Sequence, residues 1–405
     1  MLLRRIQSFV KDPVWLRLLS FSLTLFFIFL GDAILSFWVP NLLQDALGDS
    51  VKMGLVISFS SVIGLGMDLI FPQLIRGITV KRLVTFGATT SILFSVILLT
   101  SLKLPLILIF LIAMAVWGVY YEFFGFAEQQ FIADTLPLRM HSSGWAFYGV
   151  FKNLAYFLGP LIAAWVVIKA EWAPPIFAIF FALIGLVVIF FFKKTHERPF
   201  SFSVKEVNLW QEIKHWRLLI KYVWPMVVLS LVLGLIDSTF WTTGTVLTER
   251  LARENIFGGF FIPLYQLPSL FMGLVLARMT VFNGKKRLAM KFLLVSGIFL
   301  TILGFVNSIY LILLSVLASS ILLAVAFPLV NGIYSDIIAR MGVERKHLIG
   351  LSNSSISIAY IIGPALAGII SNLVGEEKTF SVMGAITILV AVTLLILTPK
   401  KIRLP

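Results

Sequence analysis

Along most of this chain the polar positions are interruptions in apolar stretches of about 20 residues. That is the length a helix needs to cross a roughly 30 Å hydrocarbon layer. Windows of this kind predict twelve spans, at 18–43, 52–75, 80–101, 104–133, 143–168 and 173–192, then at 220–247, 256–280, 287–305, 310–337, 348–372 and 379–398. The expected fold is therefore all-α, with twelve transmembrane helices in two six-helix bundles. Residues 1–192 form the first bundle, 193–219 a cytosolic linker and 220–405 the second bundle. In the linker, Val207, Trp210, Ile213 and Ile220 recur at near-helical spacing among Lys205, Lys214 and Arg217. That pattern suits either a helix on the inner membrane face or a solvated connection.

The two halves repeat one another. Asn153 to Pro160 returns 204 residues later as Ser357 to Pro364, with Ala-Tyr and Gly-Pro in register. Phe131-Ile132-Ala133-Asp134 matches Ile333-Tyr334-Ser335-Asp336, and Lys81-Arg82-Leu83 matches Lys286-Arg287-Leu288. Two equivalent apolar halves can close around a cavity at the middle of a bilayer, as many secondary transporters do.

Composition agrees: 59% of the 405 residues are hydrophobic and 13% charged, too little polar surface to cover a soluble globule. The net charge of +14 does not point to nucleic acid, because of where it lies. With both termini cytoplasmic, 26 of the 33 Lys and Arg residues fall on the inner side. Lys52, Lys103, Lys169, Arg250, Arg253 and Lys378 fall outside, and Lys152 lies within a span. The positive-inside rule then predicts a multi-pass plasma (inner) membrane protein in that orientation. The first apolar run is too long for a cleavable leader, so it is expected to remain. Absence of Cys removes thiolate metal and cluster chemistry, and no phosphate-cradling Gly-rich Lys loop is present. His141, His196, His215 and His347 all map to cytosolic edges. No catalytic set, metal site or cofactor is expected, and the chain is not expected to be an enzyme.

What remains is charge inside lipid. Asp32, Asp68, Glu122, Glu128, Lys152 and Asp237 all fall within predicted spans, where each charge costs at least about 2.5 kcal/mol. Asp32 lies deep in the first span beside Gly31 and Ser36. Glu122 follows Trp117, Tyr120 and Tyr121, a setting that suits capture of an organic cation, with Gln129 on its face. Asp237 has Trp241 one turn on, and Lys152 has Tyr148 and Tyr156 on its stripe. An unpaired ammonium there would be costly, so a carboxylate partner is expected, Asp32 and Glu122 being the first choices.

Twelve spans in two sixes, basic loops after spans two and eight, Asp134 and Asp336 ending spans four and ten, and Gly-Pro in spans five and eleven together resemble the major facilitator superfamily. The chain is most similar to that superfamily's twelve-span proton-coupled drug-efflux group. The resemblance implies helix-packing roles for Gly159, Pro160, Gly363 and Pro364. It implies conformational loop roles for Arg76, Lys81, Arg82, Arg278, Lys286 and Arg287. Arg76 and Arg278 stand where the family's loop motif has Asp, and Thr79 where it has Gly. The expected function is secondary active transport by alternating access, as proton-coupled efflux of a small amphipathic or cationic solute. Proton-coupled uptake of a sugar or other metabolite, or a non-transporting receptor or scaffold, are the alternatives. The expected partners are the solute, protons and membrane lipids, with no nucleic acid, and the protein is expected to be a monomer.

Overall fold

The computed structural model describes residues 13–74, 78–135, 141–191, 209–278, 284–338 and 345–398. Those residues form twelve α-helices, with no strand among them. They are α1 (Pro13–Leu47), α2 (Ser50–Leu74), α3 (Val80–Lys103), α4 (Ile107–Thr135), α5 (His141–Val167) and α6 (Ala173–Phe190). The second series is α7 (Leu209–Glu254), α8 (Phe261–Arg278), α9 (Lys285–Leu303), α10 (Ile309–Ile338), α11 (Arg345–Val374) and α12 (Glu376–Leu397). Every element is a helix for the reason given by the pattern: in lipid the backbone must bond to itself.

Among the described residues, ten helices are long and apolar enough to cross a membrane. The remaining two are α8 and α9. A 3-10 turn, Ile256–Phe260, separates α7 from α8, and its start is capped by the Asn255 side chain, which accepts from the Phe257 N–H at 2.9 Å. In α9 the opening Lys285, Lys286 and Arg287, with Lys291, dilute the apolar run. Helix α7 begins at Leu209 rather than at 220, so the last part of the predicted linker is already helix. It continues for 46 residues through Pro225.

The described residues group into two compact units. One holds those within Met1–Val39 and Val62–Phe202, the other those within Pro40–Ser61 and Ser203–Pro405. In the first unit α3 packs on α4 and α6, and in the second α9 packs on α10 and α12, the equivalent neighbours of the repeat. Small residues make these approaches possible. A Cβ on Gly87 would stand 2.6 Å from the Phe124 ring, and one on Gly297 3.0 Å from the Gly384 carbonyl oxygen. Ser296 and Ser319 hydroxyls meet at 2.8 Å between α9 and α10.

The second unit also takes in the end of α1 and the start of α2. There Gly54 lies against the Pro364 carbonyl and Gly368 against that of Ser50, contacts with no room for a side chain. Beside them the Ala365 N–H donates to the Ser58 hydroxyl at 3.2 Å.

The starts of α3 and α9 show how one position serves two residue types. Thr79 is extended and its hydroxyl accepts from the Arg82 N–H at 3.4 Å. Its counterpart Gly284 takes φ of 78°, where a side chain would be strained.

Candidate functional site

Asp32 is fully buried in α1 and is ringed by four donors. The Trp117 indole N–H donates to its Oδ1 at 3.1 Å, and the Tyr120 hydroxyl donates to the same oxygen. The Tyr121 and Tyr156 hydroxyls donate to Oδ2 at 2.5 and 2.6 Å and stand 3.0 Å from one another. Trp117, Tyr120 and Tyr121 are spaced i, i+3 and i+4, so α4 turns all three toward α1. A carboxylate away from water is tolerable only when its lone pairs are met, and here neutral protein donors do what water would do. Phe94 stacks on Trp117 at 5.2 Å and Tyr120 on Tyr121 at 5.0 Å, which fixes the donors in place.

The fourth donor arrives through the Gly-Pro motif. Gly159 of α5 abuts Ala33 of α1 so closely that a Cβ would overlap it. One turn before Gly159 is Tyr156, and one residue before Ala33 is Asp32, so the glycine contact sets the hydrogen bond.

Lys152 lies a further turn back on α5. Its ammonium stands 3.4 Å from Glu128 Oε1, 4.6 Å from the Phe29 ring centroid and 5.9 Å from that of Tyr148. The Glu128 side chain is 8% exposed and that of Lys152 34%, so the acid is the better buried member of the pair. Its partner is thus Glu128 of α4, not the expected Asp32 or Glu122. A lysine stem on α5 reaches the end of α4 past Phe29, whereas the oxygens of Asp32 are taken by four donors. Phe29 also packs on Tyr156 at 6.1 Å and on Phe124 at 5.5 Å, joining the ion pair to the Asp32 nest.

Glu122 is turned elsewhere. Its Oε1 lies 3.1 Å from where a Cβ on Gly64 of α2 would stand. The aromatics next to it in sequence therefore serve Asp32, because consecutive residues on a helix point about 100° apart.

In the second unit Asp237 of α7, only partly buried, accepts from the Tyr265 hydroxyl of α8 and the Tyr360 hydroxyl of α11. Phe240 stacks on Tyr265 at 3.8 Å and packs on Phe380 at 4.8 Å, and Trp241 follows Asp237 one turn along α7. Gly363 of α11 abuts the Ser238 side chain. Sequence reasoning had not assigned Tyr265, Tyr360, Tyr120 or Tyr121 as partners of these acids. The i, i+3, i+4 spacing of Trp117, Tyr120 and Tyr121 was the available signal.

Of the loop residues, Lys81 sets its ammonium 5.1 Å over the Phe190 ring, Arg82 and Arg287 are exposed and Lys286 is buried at 7% exposure. Arg76 lies outside the described residues, as do the side chains of Asp68, Gln129 and Arg278.

The family described as Major Facilitator Superfamily matches residues 254–405. A staphylopine export protein of Staphylococcus aureus (strain Mu50 / ATCC 700699) is 24% identical over 299 residues, 70% of this chain and 72% of that protein. Among solved structures, the human organic anion transporter MFSD10 (TETRAN) superposes with a TM-score of 0.70 at 18% identity, over 95% of this chain and all of that one. A POT family transporter in complex with a thioalcohol-conjugated peptide gives 0.74 at 15% identity, over 95% of this chain and 96% of that one.

Proposed function

We propose that the chain, whose residues 254–405 match the Major Facilitator Superfamily, is a transporter that exports a small amphipathic or cationic solute across the plasma (inner) membrane in exchange for protons. The observation that carries this reading is the Asp32 nest: a fully buried carboxylate held by four neutral donors and no bonded cation. A proton or the ammonium of a solute would each have to displace one of these donors, so the two compete for the same oxygens. A solute cation would also face the rings of Trp117, Tyr121 and Tyr156.

Exchange follows from competition for one carboxylate. A proton on Asp32 removes the charge that holds a cation, and a bound cation disfavours the proton. Each ligand shifts the conformational equilibrium only by its differential affinity for the two states, so sharing a group couples them. The nearby Lys152–Glu128 pair is already neutral as a pair, which leaves Asp32 as the net negative charge of the cluster. The similarity to a staphylopine export protein supports the outward direction.

In proteoliposomes carrying a pH gradient, the wild type is expected to move the fluorescent organic cation ethidium against its concentration gradient. Asp32→Asn keeps the size, and its amide N–H can donate to tyrosine hydroxyls that turn to accept, but it cannot titrate. It is expected to slow pH-driven flux by more than about tenfold, which about 1.4 kcal/mol of lost differential binding produces. Near-normal pH-driven flux in Asp32→Asn would make the nest structural.

A further inference from the structure

Asp32 and Asp237 occupy the same place in the two repeats. Asp32-Ala33 returns as Asp237-Ser238 at an offset of 205 residues, and Tyr156 with Gly159 returns as Tyr360 with Gly363 at 204. In both copies the glycine of Gly-Pro abuts the residue after the aspartate, and the tyrosine one turn earlier donates to the carboxylate. This is one device built twice, with the aspartate on the first helix of each half and the phenol on the fifth.

The copies differ in what surrounds the carboxylate. Asp32 has four donors, no exposure, and Lys152 within electrostatic reach. Asp237 has two donors, Tyr265 from α8 and Tyr360 from α11, and is less completely enclosed than Asp32. No cation acts on Asp237 among the described residues. The repeat position of Lys152 is Ile356, and the segment equivalent to Glu128 is Val330 to Gly332, so the second copy has dropped the ion pair. Of α10 and α12, which also pack on α7, neither contributes a titratable partner to Asp237 among the described residues. A surrounding without a cation leaves a proton as the ligand that can cancel this charge.

We propose that Asp237, held by Tyr265 and Tyr360, is a second proton-binding site, the repeat partner of Asp32, so that each half of the chain takes up one proton in a transport cycle. The inference rests on the proton-coupled reading of Asp32 given above and adds a second, separable site to it.

Infrared difference spectra of the full-length protein in lipid vesicles, with its aspartates isotopically labelled, follow carboxyl protonation directly. Acidification is expected to raise two buried aspartic-acid bands in the wild type. Asp32→Asn removes one and Asp237→Asn the other, while Tyr360→Phe and Tyr265→Phe shift only the band that Asp237→Asn abolishes. If Asp237→Asn does not fold, a band moved by both tyrosine variants identifies the site. An acid-induced spectrum that none of the three variants alters overturns the second site, and an intact Asp32 band then leaves the first reading standing. Absence of both bands overturns the proton-coupled reading as well.

Discussion

At the scale of single residues, the Lys152–Glu128 pair decides how charge is held near the Asp32 nest. Removing one member of a fully buried pair costs about 3–5 kcal/mol, and of an exposed pair about 1 kcal/mol or less. With Glu128 nearly enclosed and Lys152 one-third exposed, Lys152→Ala is expected to cost on the order of 1–3 kcal/mol, because it strands the better buried charge. Adding Glu128→Gln should restore most of the thermal stability measured in detergent, whereas adding Asp32→Asn should not. Rescue by Asp32→Asn but not by Glu128→Gln would place the partner on the wrong acid. This partner was not legible in the sequence. Span prediction gives depth along the membrane but not rotation about the helix axis, and at about 100° per residue Glu122 and Tyr121 belong to different neighbourhoods.

Among the elements, the pairs α1 with α5 and α7 with α11 each rest on a glycine without space beside it. The Gly-Pro motif and its repetition were legible as sequence, since the two copies align at a constant offset. That each copy carries an aspartate to its tyrosine was obscured by a one-residue drift, 204 against 205, which hides the equivalence of Asp32 and Asp237 from a fixed-offset comparison. Gly363→Ala forces a methyl into the Ser238 side chain, and overpacking of this kind costs typically about 1–3 kcal/mol. Ser238→Gly in the same chain removes the obstacle and is expected to recover much of the melting temperature lost. A Gly363→Ala variant as stable as the wild type, unaffected by the second change, would mean that the two helices need no such approach.

For the whole molecule, the charge split predicts an orientation that can be tested without a substrate. Single cysteines introduced into the natively cysteine-free chain near Lys285 are expected to be shielded from a membrane-impermeant thiol reagent applied to intact cells. Those near Lys378, next to the Glu376 and Glu377 that clamp Arg250 at 2.5 Å each, are expected to be labelled. The opposite labelling pattern would invert the topology. The number and order of helices were legible because hydropathy reports what a backbone must do in lipid.

The length of helix α7 has a consequence. At 1.5 Å per residue its 46 residues measure about 69 Å along the axis, more than twice the hydrocarbon thickness. Such a helix extends beyond the hydrocarbon core. Its first turns bear Lys214, Arg217 and Lys221, the charges that anionic headgroups attract at about 1 kcal/mol each. Asp237 sits on the same helix, 16 residues or about 24 Å beyond Lys221, so if it binds a proton as proposed, one continuous element carries both the lipid-facing charges and the proton.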